Sequence, residues 1–387
     1  MSTAKRRVVI IAGEESGDMH AAVLIKQLKA VYPEIEIGGI GGKHMLAAGA
    51  ELTSDLARYG VTGFTEVIGY LRIIRNALVA IKKNLREQRP DLLILIDYPG
   101  FNLRLAKYAK KELGLKIIYY ISPQIWAWKP GRIHLIKQCV DRMAVILPFE
   151  KPIYEKAGMP VSFVGHPLVD TIPAQVNMAE KRAELQLPLK NKVIAILPGS
   201  RRHEIEQHMP VLIDTMKLLY ADNPDLQFVI PIAGTINPQK ITSYDSKSTL
   251  PITFIQGKAL DCIAAADFVI VASGTASLEC ALMKKPMCII YKSSFLTYHA
   301  AMKLIRVKYL GMCNLLTNRM MIPEFLQYDC NAVELYRYIT NFNNDSSQPQ
   351  KMIRQLSVLK ESLSSNESDC SLVELVRSEM PEITASF

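Results

Sequence analysis

Residues 196–208 read ILPGSRRHEIEQH, and this stretch indicates the fold of the chain. The strand-like run Val193–Leu197 ends at Pro198-Gly199-Ser200, and two arginines then open a helical pattern. A buried strand, a tight turn and a helix in that order are typical of doubly wound α/β proteins. Backbone N–H groups at the start of such a helix, together with a guanidinium, favour an anion.

The same alternation of strands and helices continues on both sides of this stretch. Strands are predicted at Val8–Ala12, Ile35–Ile40, Leu92–Asp97, Lys116–Ile121, Met143–Leu147, Val161–Val164, Val193–Leu197, Leu226–Pro231, Ile252–Gln256, Phe268–Ala272 and Met287–Tyr291. Their near-continuous apolarity is typical of parallel sheets that are covered on both faces. We therefore predict an α/β fold with two doubly wound, Rossmann-like domains that face a cleft.

An irregular segment near residue 170 predicts the hinge between these domains. The predicted boundaries are 1–170 for the first domain and 171–345 for the second. Residues 346–387 are predicted to be helices that cross back to the first domain and that could exchange between two copies of a homodimer. The polar residues 341–347 predict a loop.

Composition places the chain among soluble globular proteins and narrows its partners. The 387 residues are 49% hydrophobic and 21% charged, and 46 Lys and Arg against 37 Asp and Glu give a net charge of +9. This excess favours an acidic partner, such as a phosphate or an anionic lipid, without choosing between them. Nucleic acid is disfavoured because the basic residues are scattered and no known binding module is present.

The cysteines and the apolar runs bear on the cellular compartment. Seven cysteines, an odd number without paired spacing, predict reduced thiols in a cytosolic protein. No apolar run approaches the roughly 18 residues that a membrane span needs, so any membrane role is predicted to be peripheral.

Polar residues follow the predicted strands of the first domain, where parallel sheets bind ligands. After strand one come Ser16, a candidate helix cap, and Gly17, which lets the turn pass close to a ligand or only makes a turn. Asp97 follows a buried strand, so burial would raise its pKa and make it a candidate base, or it caps the next helix. Trp126 and Trp128 either pack on the sheet edge or line an acyl or sugar site.

The second domain offers two candidate anion sites. Arg201 stands at one predicted helix start, and Ser273-Gly274-Thr275-Ala276 forms another. Glu279 follows one helical turn later, where a carboxylate can bind the two hydroxyls of a ribose. Two such helix starts suggest a diphosphate.

A metal is not expected at this site. His203, Glu204, Glu206 and His208 lack the spacing of a metal motif, and we interpret them as a solvated helix face. We therefore expect arginine and helix starts to bind the diphosphate without a metal and without another cofactor.

Residues 65–83 predict an amphipathic helix. Its apolar positions recur at helical spacing and its other side is basic. The helix either packs on the core or lies on an anionic membrane surface. Candidates for membrane contact and acyl-chain access are Val67, Ile68, Leu71, Arg72, Ile74, Arg75 and Leu78.

Seven motifs in order resemble those of the lipid-A-disaccharide synthases, bacterial glycosyltransferases of the GT-B fold. They are AGEESGD, IDYPGFN, SPQIWAWK, LPFEK, FVGHP, LPGSR and ASGTASLEC, and the likeness extends from about Val8 to Gln327. The resemblance implies transfer of a diacylated glucosamine from a UDP-diacylglucosamine donor to the 6-hydroxyl of diacylglucosamine 1-phosphate. The product is a β-1,6 disaccharide formed with inversion. The family is metal-independent and peripheral to the inner face of the cytoplasmic membrane.

The resemblance also implies roles for individual residues. Asp97 corresponds to the catalytic aspartate, and Glu14 is a second catalytic candidate. Ser16, Gly17 and Asp18 correspond to the acceptor loop. The donor site is implied to consist of Ser200, Arg201, Ser273, Gly274, Thr275, Ala276, Glu279 and Asn314.

Two alternatives to this function stay open at this point. A UDP-N-acetylglucosamine 2-epimerase would share the architecture and the nucleotide site. A non-catalytic protein that binds nucleotides or lipids is the other alternative, and Asp97, Arg201 and Glu279 argue against it.

Overall fold

The structure is a computed structural model, and it describes residues 6–56, 67–127, 129–173, 176–234, 236–245, 250–294, 298 and 307–380. The chain forms two compact units. The first unit comprises Met1–Pro167 and Leu363–Phe387, and the second comprises Leu168–Ser362.

The first unit is built on a parallel sheet of seven strands. The strands are β1 (Arg7–Ala12), β2 (Glu36–Gly41), β3 (Glu51–Asp55), β4 (Leu92–Ile96), β5 (Ile117–Tyr120), β6 (Arg142–Val145) and β7 (Val161–Phe163). Their order across the sheet is β3-β2-β1-β4-β5-β6-β7. This order reverses direction between β1 and β4, which is where such sheets bind ligands beyond the carboxyl ends of their strands.

Helices cover both faces of this sheet. They are α1 (Glu15–Val31), α2 (Lys43–Ala47), α3 (Val67–Gln88), α4 (Pro99–Leu113), α5 (Arg132–Cys139) and α6 (Lys151–Lys156). Helix α7 (Pro167–Thr171) follows, and all of it after Pro167 belongs to the second unit. Alternate strand residues enter different cores, because side chains of a strand point to opposite faces. Leu93 and Leu95 belong to the core under α3 and α4, while Leu92, Ile94 and Ile96 belong to the core under α1.

The second unit repeats this plan with six parallel strands. They are β8 (Val193–Leu197), β9 (Gln227–Ile232), β10 (Ile252–Gln256), β11 (Phe268–Ala272), β12 (Met287–Tyr291) and β13 (Glu324–Leu326), in the order β10-β9-β8-β11-β12-β13. The helices are α8 (Met178–Glu184), α9 (Arg202–Asp222), α10 (Pro238–Thr242), α11 (Ala259–Ala265), α12 (Thr275–Leu282), α13 (Met312–Thr317), α14 (Ala332–Asn344) and α15 (Ser347–Ser362).

The chain returns to the first unit after α15. Helix α16 (Leu372–Glu379) buries Leu375 and Val376 in the core under α1. Glu379 forms ion pairs with Lys116 and Arg142, which stand at the amino ends of β5 and β6.

The predicted α/β fold with two doubly wound domains is confirmed, but four details differ. Strands β3 and β13 were not predicted, since ELTSD is polar and EFL is only three residues long. Residues 341–344 are the last turn of α14 and only 345–346 lie between two helices, so the predicted loop is wrong for most of its length. The second unit extends to Ser362 and not to 345, because α15 packs against α12.

Candidate active site

Asp97 stands directly after β4 in a strained backbone conformation. Its φ is +43° and that of Tyr98 is +45°, so two consecutive residues with side chains adopt the left-handed region. Single non-glycine residues there are uncommon and a pair costs free energy. The sharp turn stops the strand at Ile96 and begins α4 at Pro99, with Tyr98 and not Asp97 at the N-cap position.

Hydrogen bonds hold this turn in place. The side-chain amide of Asn102, which is fully buried, donates to the carbonyl oxygens of Ile96 at 3.0 Å and Asp97 at 2.7 Å. The hydroxyl of Tyr119 donates to the same Asp97 carbonyl at 2.7 Å, and the Asp97 N–H donates to Tyr120 at 3.0 Å. Asn102 lies in the motif IDYPGFN but was not among the predicted site residues.

The environment of Asp97 favours a base that works near neutral pH. Burial raises its pKa to about 6, and the negative charge of Glu14 adds to the effect, while a backbone hydrogen bond from Tyr98 opposes it. A carboxyl with a pKa near 6 is ionised at neutral pH and is a better proton acceptor than an ordinary aspartate. The two predicted catalytic carboxylates, Asp97 and Glu14, are therefore close enough to interact.

The predicted acceptor loop divides into exposed and buried residues. Glu14 is the N-cap residue of α1, so the prediction that Ser16 caps this helix is wrong. Glu14 and Ser16 are exposed, whereas Gly17 packs toward Ala12 and Ile96 of the sheet. Gly13 is needed for another reason, because a side chain there would overlap the ring of Tyr98.

Asp18 is occupied by the protein itself. Its carboxylate is 1% exposed and accepts hydrogen bonds from the backbone N–H groups of Gly42 at 2.7 Å, His44 at 2.9 Å and Met45 at 3.0 Å. Asp18 thus caps the start of α2, and the structure does not direct it toward a ligand.

Glu150, in the motif LPFEK, lies in the same part of the sheet and was also missed. It is 1% exposed and accepts a hydrogen bond from Trp126 Nε1 at 3.0 Å. Burial raises its pKa to about 7, and the charge of Asp97 contributes. The half-buried Trp126 ring also packs edge-on against Phe149. Trp128 lies outside the described residues.

In the second unit, the carboxyl ends of four strands surround a cavity of about 430 Å³. It is lined by Leu197, Pro198, Gly199, Ser200, Arg201, Glu204, Pro231, Ile232, Ala233, Gly257, Lys258, Ala259, Ala272, Ser273, Gly274, Thr275 and Ala276. Six predicted donor residues are among them, which brings Arg201 and the Ser273–Ala276 turn together. Lys258 was missed, although its position just after β10 is the signal that could have found it.

Glu204 closes the turn after β8. Its Oε2 accepts the backbone N–H groups of Ser200 at 3.0 Å and Arg201 at 3.1 Å. Its Oε1 lies 3.3 Å from the guanidinium of Arg201, whose side chain is 73% exposed. Gly199 has a φ of +117° and leaves no room for a side chain beside Glu204.

His208 joins two loops at the rim of the sheet. It is fully buried; its Nδ1 lies 2.7 Å from the carbonyl oxygen of Pro198, and its Nε2 accepts the Lys292 N–H at 2.9 Å. Burial lowers the pKa of the imidazole, which keeps it neutral. The interpretation of this helix face as solvated is therefore correct for His203 and Glu206 but wrong for Glu204 and His208, which are buried.

The second predicted anion site is the start of α12. Gly274 is the N-cap residue, and Thr275 and Ala276 form the first turn beside the cavity. The hydroxyl of Ser273 donates to the carbonyl of Leu310 at 3.1 Å. Glu279 is half-buried one turn later, and burial raises its pKa.

Asn314 does not line this cavity. It is fully buried, and its Oδ1 accepts the backbone N–H groups of Met321 at 2.7 Å and Ile322 at 2.8 Å. Its Nδ2 donates to Glu324 Oε1 at 2.7 Å, and Glu324 in turn accepts the N–H of Leu310 at 2.9 Å. Asn314 therefore supports the loop that contacts Ser273, and the structure does not direct it toward a donor.

Helix α3 (Val67–Gln88) confirms the predicted helix, and its described side chains show which residues are exposed and which pack on the core. Arg72 and Arg75 are exposed, while Ile74 and Leu78 are partly buried against the core. The side chains of Val67, Ile68 and Leu71 lie outside the described residues. Among the residues that the structure describes, no helix is long and apolar enough to span a membrane.

Comparison with known proteins shows the family of the chain. A model of the lipid-A-disaccharide synthetase family matches residues 8–380. The chain is 68% identical over 379 residues to lipid-A-disaccharide synthase 1 of Legionella pneumophila (strain Lens), covering 98% of this chain and 99% of that protein.

Two solved structures share the fold. A putative UDP-N-acetylglucosamine 2-epimerase from Listeria monocytogenes has a TM-score of 0.63 at 13% identity and covers 91% of each chain. A calicheamicin glycosyltransferase has a TM-score of 0.61 at 12% identity and covers 98% of this chain and 100% of its own.

Proposed function

The chain belongs to the lipid-A-disaccharide synthetase family, and we propose that its first unit supplies the base and its second unit holds the UDP for the glycosyl transfer. It is a UDP-dependent glycosyltransferase. The epimerase alternative is not favoured, because the chain is 68% identical over 98% of its length to a lipid-A-disaccharide synthase.

The donor in this proposal is UDP-2,3-diacylglucosamine and the acceptor is 2,3-diacylglucosamine 1-phosphate. Asp97 removes the proton from the 6-hydroxyl of the acceptor. The oxygen then forms a bond to the anomeric carbon of the donor while the bond from that carbon to the diphosphate breaks. UDP leaves with the electron pair, and the anomeric carbon inverts.

The diphosphate of UDP gains negative charge as it leaves, so cations and N–H groups stabilise the transition state. Arg201 and Lys258 supply the cations in the second unit, and the start of α12 at Thr275 and Ala276 supplies backbone N–H groups. Glu279 would bind the ribose hydroxyls. Because α12 has only eight residues, we expect Arg201 to contribute more than the helix.

The observation that carries the proposal is the state of Asp97. It is a half-buried carboxyl with a pKa of about 6, fixed after a buried strand by its own backbone hydrogen bonds. That combination fits a base that accepts a proton from an alcohol and returns it to solvent afterwards.

Release of UDP from purified protein and the two substrates tests the proposal. We expect turnover with chelator present, loss of at least a hundredfold in Asp97→Asn, and little change in the exposed neighbour Glu15→Gln. Near-normal turnover in Asp97→Asn, with UDP binding retained, would show that another group is the base.

We further propose that α3 contacts an anionic membrane surface through its basic face. Arg72, Arg75, Lys83 and Arg86 are exposed on this helix, and Val79 is a large apolar side chain with 62% exposure. Each basic residue near an anionic surface contributes about 1 kcal/mol. Flotation with anionic vesicles should weaken in Arg72→Glu with Arg75→Glu and not in Lys107→Glu on α4. Equal flotation of the Arg72→Glu/Arg75→Glu variant and the Lys107→Glu control would contradict the proposal.

A further inference from the structure

Glu150 is a buried acid for which the reaction described above has no use. The carboxyl is 1% exposed, and its Oε2 has no hydrogen-bond partner in the part of the chain that the structure describes. Burying a carboxyl oxygen without a hydrogen bond costs free energy of folding, so such a group calls for a functional or structural explanation.

The position of Glu150 in the first sheet is the first part of this explanation. Strands β4, β5 and β6 are neighbours, and the segments that follow their carboxyl ends carry Asp97, Trp126 and Glu150 respectively. The Asp97 N–H donates to Tyr120 at the end of β5, and the Ile121 N–H donates to Ala144 of β6. The three residues therefore follow the carboxyl ends of three adjacent strands on the same side of the first sheet.

Buried hydrogen bonds are also found next to these positions. Tyr119 donates to the Asp97 carbonyl, and the hydroxyls of Tyr154 and Ser122 lie 2.7 Å apart. Ser122 begins the segment that leads to Trp126, and Trp126 Nε1 donates to Glu150.

We propose that Glu150 is a positioning residue for the transfer reaction: through its hydrogen bond to Trp126 it fixes the segment of residues 122–127 beside Asp97. This inference rests on the proposed role of Asp97. The segment follows the strand that pairs with β4, so its position sets the shape of the acceptor side next to the base.

The charge state of Glu150 follows from the groups that face it. Trp126 from the segment after β5 donates to it at 3.0 Å, Ser122 and Tyr154 lie nearby, and Asp97 contributes a negative charge. Burial and the charge of Asp97 raise the pKa of Glu150 to about 7, above that of Asp97 at about 6. Burial and the charge of Asp97 therefore both favour the neutral form of Glu150.

Tryptophan resonances give a direct test in the full-length protein. The chain has two tryptophans, so a Trp128→Phe variant with ¹⁵N-labelled tryptophan has a single indole N–H signal, from Trp126. We expect this signal to shift with pH around a midpoint of about 7, to stop shifting in Glu150→Gln, and to show a lower midpoint in Asp97→Asn. A signal whose position and pH dependence are the same in Glu150→Gln as in the parent protein overturns the proposal.

Kinetics test the consequence for the reaction. Trp126→Phe removes the N–H and keeps a ring, and we expect kcat/KM for the acceptor to fall about tenfold with UDP affinity unchanged. Glu150→Gln still offers an oxygen to Trp126 and should keep most of the activity, whereas Glu150→Leu should not. If Glu150→Leu fails to fold, the other two variants decide. Unchanged acceptor kinetics in Trp126→Phe overturns the proposal.

The two proposals fail in different ways. If Asp97→Asn turned over normally while the Trp126 signal titrated as expected, the assigned base would be wrong. If Asp97→Asn were inactive but the signal did not depend on Glu150, only the positioning role would be wrong.

Discussion

The side-chain amide of Asn102 lies 2.7 Å from the carbonyl oxygen of Asp97, five residues earlier in the chain. The same amide also bonds the carbonyl of Ile96, so one side chain fixes both sides of the turn that carries the candidate base. A base must be held within a fraction of an ångström to be effective, and a strained turn relaxes when its supports are removed.

Asn102→Ala should therefore lower turnover by about ten- to a hundredfold and destabilise the fold by roughly 1 to 3 kcal/mol. Turnover and thermal unfolding measure the two effects. Lys107→Ala on the exposed side of the same helix is the control and should change neither. UDP affinity should be normal in both variants, because the donor cavity lies in the other unit.

The pH dependence of kcat/KM should report the ionisation of Asp97. A base works only when ionised, so the rate should fall as the pH drops below about 6. Glu14→Gln removes a negative charge that raises the pKa of Asp97, and the falling limb should move to lower pH. Glu15→Gln, also exposed, should leave the limb in place. A limb that does not move in Glu14→Gln would contradict the interaction of the two carboxylates.

Asp97→Asn should stabilise the protein at neutral pH while it abolishes turnover. The pKa of Asp97 is raised to about 6 in the folded protein, so the folded state binds the proton more tightly and loses stability as the pH rises from about 4 to 6. Asparagine avoids that loss. We expect a gain on the order of 1 kcal/mol at pH 8 and none at pH 4, after allowing for partial exposure to solvent. Unfolding in urea at both pH values measures the difference.

Arg201 and Arg202 form a matched pair for the donor site. Arg201 lines the cavity, whereas Arg202 is exposed and forms an ion pair with Glu206 at 2.9 Å. Arg201→Ala should weaken UDP binding about tenfold or more, because a charged hydrogen bond to a diphosphate is lost. Arg202→Ala should change it less than about twofold, since exposed ion pairs contribute little. Calorimetric titration with UDP would reject the assignment if the two variants behaved alike.

His208→Phe should destabilise the second unit and weaken UDP binding, because His208 supports the wall of the donor cavity. The substitution leaves the carbonyl of Pro198 and the N–H of Lys292 without their partner, which costs about 2 to 4 kcal/mol for two buried groups. UDP binding should weaken as well, because Pro198 is part of the cavity. His203→Phe on the exposed side of the same helix should be neutral, and thermal unfolding with and without UDP compares them.

The sequence predicted the architecture because the strands are strongly apolar and each is followed by a helical pattern. It also placed the candidates Asp97 and Arg201 just after strands, where the structure has them, because functional side chains of this fold follow the ends of strands. Strand β3 was not predicted because its sequence, ELTSD, has few apolar residues. It lies at the edge of the sheet and is partly exposed, so it does not need them.

The residues that the sequence could not assign depend on tertiary partners. Glu150 and Trp126 are 24 positions apart and meet only because β5 and β6 are neighbours, which no local pattern encodes. Asp18 and Asn314 were assigned to the site by resemblance to the family, yet their side chains bind backbone groups of their own unit. A motif identifies residues that matter without telling whether they contact a substrate or support the residues that do.

The first unit is assembled from two stretches of chain that are almost 200 positions apart. When a ribosome has completed the seven strands of that unit, Leu375 and Val376 have not yet been translated, and the apolar surface under α1 lacks part of its cover. Lys116 and Arg142 likewise lack their ion-pair partner until Glu379 has been translated. Folding of the unit that carries the candidate base therefore depends on synthesis of nearly the whole polypeptide, so a prematurely terminated chain would leave that unit unfinished.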